Sequence, residues 1–334
     1  KFHRNIMPTF ITGATGFIGN KLALKLANQG EIIHALCRKT SDISTLKHPN
    51  IKIFYGDVTE SSKIFEAMQG CESAYHLAAY ARGFAKDKDE YSRINVEGTK
   101  NICDAALKTG IKKIVITSTI VTFGPTGKIS ESETIKRDEN VFYTTYEHSK
   151  FMGEKVVDEY IQKGLKAATV NPTRVFGPGL MNESNSVTIM IQMYMKGKMR
   201  AILGDGNGIG NYGYVDDMVD GHIAAMEKGR VGEKYILGGE NVSYNQFFQM
   251  ISEITGKRFF QFKIPYPVVI IFSKFEEIRA KLFGGNPLIT PEWVKTFALD
   301  WVYTSKKAEQ ELGYKYTPLR ESMRQTIDWL NKQK

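Results

Sequence analysis

The chain has 334 residues, 42% of them hydrophobic and 24% charged, with 45 basic against 36 acidic residues and a net charge of +9. That length can fill two domains, or one large α/β domain with an added lobe, and the apolar share excludes intrinsic disorder. Cys37, Cys71 and Cys103 form no CxxC pair and no even set, which argues against a disulfide scaffold or zinc module and for a reducing compartment. The basic surplus raises nucleic acid as a partner. The bases are interleaved with acids and form no basic run, so no nucleic acid is expected, although the overall field favours an anionic cofactor.

The longest apolar stretch, Ile264 to Phe272, holds two prolines and falls far short of the roughly 20 residues of a spanning helix, so no integral membrane segment is expected. The leading residues Lys1 to Pro8 read as an expression scar or the remains of a transit segment. The expected location is cytoplasmic, or an organelle stroma in the second case.

In chain order, Thr9–Thr12 reads as a strand, 17–29 as a helix, and 32–37 and Ile51–Tyr55 as strands. A short helix over 60–69, a strand over 73–77, a long helix over 89–109 and a strand over Lys113–Thr117 follow. A helix over 146–163 and a strand over 166–170 complete the series. This repetition predicts βαβ units: an α/β fold with a Rossmann-type doubly wound parallel sheet and helices on both faces. After Pro172 the alternation weakens. Helices are expected over Val215–Lys228, 243–255 and 317–330, with a strand over Lys234–Leu237. Pro265, Pro267, Pro287 and Pro291 are expected to break their segment into short pieces. The predicted division is a cofactor-binding domain over 8–172 and, mainly, a smaller C-terminal substrate lobe over 173–332.

Directly after the first strand comes Thr12-Gly13-Ala14-Thr15-Gly16-Phe17-Ile18-Gly19. Glycines between a strand and a helix let the backbone approach a pyrophosphate, and the helix N-terminus offers free N–H donors. Gly13, Thr15, Gly16, Phe17, Ile18 and Gly19 are therefore candidate cofactor contacts. The second strand ends in Arg38-Lys39 rather than an acid, which favours the 2′-phosphate of NADP over NAD. Asp57 and Val58, after the third strand, are placed to receive the adenine.

Tyr146-Glu147-His148-Ser149-Lys150 is a YxxxK motif whose ends share a helix face. A nearby ammonium, together with the positive nicotinamide, stabilises a phenolate, so Tyr146 could serve as acid/base with Lys150 lowering its pKa and holding the nicotinamide ribose. Tyr194/Lys198 and Tyr303/Lys307 share the spacing but lie in the second lobe, away from the cofactor cleft. At the end of the fifth strand, Thr117, Ser118 and Thr119 offer three hydroxyls, and strand alternation puts Thr117 and Thr119 on one side. Phe176, Met181, Met190, Met193, Tyr194, Phe272 and Phe275 are candidate lining for an apolar substrate pocket.

With these residues in hand, the chain resembles the extended short-chain dehydrogenase/reductases, of the NAD-dependent epimerase/dehydratase superfamily, over nearly its whole length. Thr12–Gly19 resembles their TGATGFIG turn, His76-Leu77-Ala78-Ala79 their HxAA segment, and Asn95-Val96-Glu97-Gly98-Thr99 their NVxGT helix. Tyr214-Val215-Asp216-Asp217 resembles their VDD element, and Asn171 to Pro178 the segment closing over the nicotinamide. The resemblance implies Tyr146 and Lys150 as the catalytic pair and Thr119 as the active hydroxyl, with Ser118 second. It adds Leu77, Ala78, Ala79, Thr117, Pro172 and Val175 to the cofactor contacts, and it implies a homodimer through the helices over 89–109 and 146–163. Within the family the chain is most similar to the dihydroflavonol-reductase-like branch, and especially to plant farnesol dehydrogenases through Arg38-Lys39-Thr40-Ser41-Asp42 and Val215 to His222. That likeness implies alcohol–carbonyl interconversion on a prenyl alcohol, flavonoid or steroid-like molecule, with NAD as well as NADP open as cofactor.

Two alternatives follow. One is a nucleotide-sugar epimerase or dehydratase with tightly held NAD. It would need an arginine before the VDD element, where 208–214 has no base, unless Arg174 or Arg200 substitutes. The other is a non-enzymatic redox sensor that binds NADP and has no use for a Tyr–Lys pair.

Overall fold

The computed structural model describes residues 7–333, so the reading of the first six residues lies outside them. Seven strands form one parallel sheet: β1 (Thr9–Thr12), β2 (Ile33–Cys37), β3 (Ile51–Tyr55), β4 (Ser73–His76), β5 (Lys113–Thr117), β6 (Ala167–Pro172) and β7 (Lys234–Leu237). Their spatial order is β7-β6-β5-β4-β1-β2-β3. The 3-2-1-4-5-6 arrangement of a dinucleotide-binding sheet is thus present, with β7 added outside β6. Register is in step along the central pairs, with Thr12 opposite both Leu36 and His76.

Alternation along each strand feeds two cores. Ile11 and Val115 face one side, where they meet Leu22 and Leu26 of α1 (Phe17–Asn28). Phe10, Ile114 and Ile116 face the other, with Ile64 and Met68 of α2 (Ser61–Met68). That second face is completed by α3 and by α4 (Thr145–Gln162). Helix α3 runs Asp89–Ser92, makes a π-helical turn over Arg93–Glu97, and continues as Gly98–Thr109. Such turns insert one extra residue and concentrate at functional sites. Burial of these side chains, each worth about 1.5–3 kcal/mol, holds both layers to the sheet.

The second half contains α5 (Ser186–Met195), α6 (Val215–Lys228), α7 (Tyr244–Thr255), α8 (Tyr266–Phe283), α9 (Pro291–Phe297), α10 (Lys306–Leu312) and α11 (Leu319–Lys332). Helix α6 returns to the sheet and places Met218 and Val219 in the α1-side core. A three-stranded sheet of Glu240–Ser243, Ile209–Tyr214 and Arg174–Phe176 carries a third core under α5, α7 and α11. Trp301–Tyr303 reaches back to pair with Gly127–Glu131.

Several expectations are corrected. The proline-rich segment is not broken into short pieces. Pro265 caps α8, Pro267 occupies its first turn and Pro291 opens α9, positions where the missing N–H costs no helical bond. The three short strands of the second sheet and helix α5 were not expected. Strand Ile209–Tyr214 is Gly- and Asn-rich, and α5 is apolar nearly all round, so neither shows a clear period.

Candidate active site

The turn after β1 is built by close approach. Gly13 has φ +77°, and a Cβ there would lie 2.7 Å from the Ala78 nitrogen. A Cβ on Gly19 would lie 2.2 Å from the Gly13 carbonyl oxygen, so α1 starts hard against the turn. Helix α1 is capped by Gly16 with no side-chain hydrogen bond, and its first turn carries no acid. Its leading N–H groups and positive dipole end are therefore open to an anion. Thr15 is half-exposed at this mouth, while Phe17 is buried and Ile18 packs partly against the core.

A hydrogen-bonded chain fixes the turn to β4 and α3. The Thr12 hydroxyl lies 2.7 Å from His76 Nδ1 and accepts from the Ala78 N–H. His76 Nε2 lies 3.2 Å from the Thr99 hydroxyl, which itself donates to the Asn95 carbonyl. Only the neutral Nε2–H tautomer satisfies all of these bonds. Full burial, with the Lys150 charge nearby, pushes His76 down to about 3, so it stays neutral.

Arg38 and Lys39 are exposed just beyond β2 and make no ion pair among the described residues. Asp57 accepts from Thr59 N–H and hydroxyl, and Val58 buries its side chain in the α2–α3 core. Leu77 and Ala78 lie directly against the glycine turn, with Ala79 exposed beside them. Pro172 closes β6 opposite Leu237, and Val175 packs partly against the α1-side core.

Helix α4 presents the Tyr–Lys pair. Thr144 caps it by accepting from Glu147 N–H, and Glu147 in turn accepts from Tyr143 N–H. Buried Arg137 pairs with Glu147 at 2.7 Å. These contacts set the start of the helix, so Tyr146 falls in its first turn. At Gly153 a Cβ would lie 2.6 Å from the Asn95 carbonyl, so α4 touches α3 at the π-helical turn. Lys150 Nζ donates to the Thr117 carbonyl at 2.9 Å. Burial holds Lys150 down to about 8, with Glu154 opposing. Burial pushes Tyr146 up to about 12, partly offset by a hydrogen bond to Thr119. Desolvation outweighs the neighbours at Tyr146, and Lys150 is directed at the Thr117 carbonyl.

The three hydroxyls separate. Thr117 lies 2.9 Å from His222 Nε2, whose Nδ1 is bonded to the Met218 carbonyl. Ser118 Oγ is buried without a partner. Thr119 faces Tyr146. Thr117 and Thr119 thus do not share a side: β5 ends at Thr117, and the strand alternation assumed between them does not apply. The other two YxxxK tyrosines are structural. Tyr194 is core and donates to the Lys257 carbonyl, and Tyr303 donates to the Gly124 carbonyl.

A cavity of about 690 Å³ lies between the loop at Gly83–Lys88, α8 and α9. Tyr91 lines it and stands 6.5 Å, ring to ring, from Tyr146. None of the seven apolar residues expected to line a pocket lines this cavity. Phe176 and Tyr194 are core, and Met181, Met193, Phe272 and Phe275 are exposed. Met190 packs partly against the third core. Helical spacing alone could not separate core, surface and lining. Arg174 is held by the Tyr212 and Tyr244 hydroxyls at 3.2 and 2.7 Å, and Arg200 folds onto the Gly197 carbonyl. The VDD acids are clips: Asp216 pairs with Lys21, and Asp217 accepts from Thr317.

Two contributors went unassigned from the sequence. Asn95 ties Ser149 to the Tyr80 backbone, and only its place in the NVxGT segment hinted at a role. Glu292 accepts from the Thr145 N–H at 3.2 Å across 147 residues, which no local signal announces.

Comparison with known proteins gives the family and the fold. The NAD dependent epimerase/dehydratase family matches residues 9–238. A Synechocystis protein provisionally named dihydroflavonol 4-reductase is 29% identical over 96% of this chain and 93% of its own. Sterol demethylase protein B of Methylococcus capsulatus is 29% identical over 97% and 98%. The crystal structure of gox2253 superposes with TM-score 0.82 and 32% identity, covering 98% of both chains.

Proposed function

The chain belongs to the NAD dependent epimerase/dehydratase family, and from that premise we propose that it interconverts an alcohol and a carbonyl on a small apolar substrate. Flavonoid, steroid-like and prenyl molecules are the classes in view, since the names of two relatives carry a dihydroflavonol and a sterol. The observation that carries the reading is the Tyr146–Thr119–Lys150 group beside an uncapped glycine turn.

The residues present fit a nicotinamide dinucleotide: a glycine cradle that any Cβ would fill, free helix N–H groups and a buried Lys150 whose Nζ is held at the Thr117 carbonyl. In this reading Gly13 to Gly19 hold the pyrophosphate, with Leu77 and Ala78 behind it. Asp57 and Val58 receive the adenine, and Pro172 and Val175 flank the nicotinamide. Arg38 and Lys39 favour NADP by offering exposed charge to a 2′-phosphate. The bound nicotinamide would supply or accept the hydride. Residues 8–172 then serve the cofactor and 173–332 mainly the substrate.

Tyr146, pushed up to about 12, is protonated at neutral pH and is poised to donate its proton to a carbonyl oxygen. Thr119 steadies that oxygen and the tyrosine together. Nucleotide-sugar chemistry is disfavoured, because Arg174 is held by phenols and Arg200 by its own loop. Tyr146→Phe should cut turnover about 100- to 10,000-fold in a screen of prenyl, flavonoid and steroid substrates while sparing cofactor binding. Unchanged turnover in that variant would overturn the mechanism, and tight cofactor binding with no turnover of any substrate would favour a sensor.

A further inference from the structure

Helix α8 turns its large apolar residues away from the protein. The buried stripe is Val269, Ser273, Glu276 and Ala280, small or polar apart from Val269. The outward stripe is Val268, Ile271, Phe275, Ile278 and Leu282, at alternating spacings of three and four residues. These are 53, 70, 63, 55 and 71% exposed. Phe272 and Phe283 widen the stripe, and exposed Phe260 and Phe262 precede the helix. At about 1.5 Å per residue, the stripe is roughly 20 Å long. A continuous exposed patch of this kind marks a surface that is covered in use.

Charge identifies the cover. Residues 257–288 hold six basic and two acidic side chains. Both acids are neutralised inside the helix, Glu276 by Arg279 at 2.9 Å and Glu277 by Lys281 at 3.1 Å. Lys257, Arg258, Lys263 and Lys274 are left as exposed surplus cations. A second copy docked on this face would set like charges against each other. An anionic lipid surface satisfies both the apolar stripe and the cations. The helix carries five charged residues and cannot cross a membrane, and no helix among the described residues is long and apolar enough to do so.

We propose that α8 and the Phe260–Phe262 segment dock in the plane of an anionic bilayer interface. The outward stripe enters the acyl boundary, with Lys263 and Lys274 among the headgroups. The opposite side of the same helix, at Ala280, lines the cavity that reaches Tyr91. An apolar substrate would then enter from the lipid. This entry route rests on the proposed function, while the docking does not.

The test is flotation of the full chain with phosphatidylcholine vesicles, with and without phosphatidylglycerol, in the absence of cofactor and substrate. The expected result is binding to the anionic vesicles that salt weakens. A Phe275→Ser/Ile278→Ser double variant should bind about tenfold more weakly or worse. Lys274→Glu should also lose affinity. Both variants alter exposed side chains, and circular dichroism checks their fold. Absence of binding, or equal binding by the double variant, overturns the proposal. So does a concentration-dependent dimer that the double variant dissolves, which would mean a second copy covers the face. Because no turnover is measured, failure here leaves the Tyr146→Phe test untouched.

Discussion

Replacing Lys150 by Met should make the protein inactive yet change its stability in a way that depends on pH. The Lys150 ammonium is buried, and its pKa falls from 10.5 to about 8 on folding. A depressed lysine pKa means that the folded state binds fewer protons than the unfolded state between those values. Stability therefore rises with pH through that window, and below pH 8 the charged form carries the full penalty. At about 1.36 kcal/mol per pKa unit, the penalty at pH 7 is about 3 kcal/mol. Met never bears it, but leaves the Thr117 carbonyl without its 2.9 Å donor, a loss of about 1–3 kcal/mol. The two effects nearly cancel at neutral pH. Between pH 7 and 9.5 the wild type should gain about 2 kcal/mol on the variant. Urea unfolding of both proteins across that range, without cofactor, measures the difference, and groups titrating in both cancel. A stability gap that does not move with pH would refute the burial of this charge.

Gly19→Ala should weaken cofactor binding about tenfold or more in a calorimetric titration, since its Cβ would meet the Gly13 carbonyl at 2.2 Å and push α1 off the turn. Arg38→Ser with Lys39→Ser should raise KM for NADP about tenfold and leave KM for NAD nearly unchanged, and equal effects on both would remove the 2′-phosphate assignment.

The first half of the chain is legible because its signals are local. The glycine turn lies between a strand and a helix, so two glycine spacings report one geometry. The βαβ period predicts the parallel sheet, and the strand expected over Lys234–Leu237 is present with the same bounds. Its place beside Ala167–Pro172 depends on a crossover through the second half and could not be read. The hydroxyl triplet shows the same limit. Thr117 turns to His222, more than a hundred residues away, so alternation had no means of predicting it. The seven apolar residues expected to line a pocket show a related limit. Methionines and phenylalanines at helical spacing describe a face, and only the fold decides whether that face meets core, cavity or solvent.

The return of the chain to β7 bears on how the protein is made. β6 is buried at all six positions and hydrogen-bonded to β5 on one side, and its other side waits for Lys234–Leu237. On the ribosome, about 60 residues separate the two, so a nascent chain carries an apolar, unpaired strand edge until β7 emerges. The strand Gly127–Glu131 waits longer still, for Trp301–Tyr303. Any pause in translation between Pro172 and Leu237 therefore prolongs the interval in which that edge can pair with a neighbouring chain.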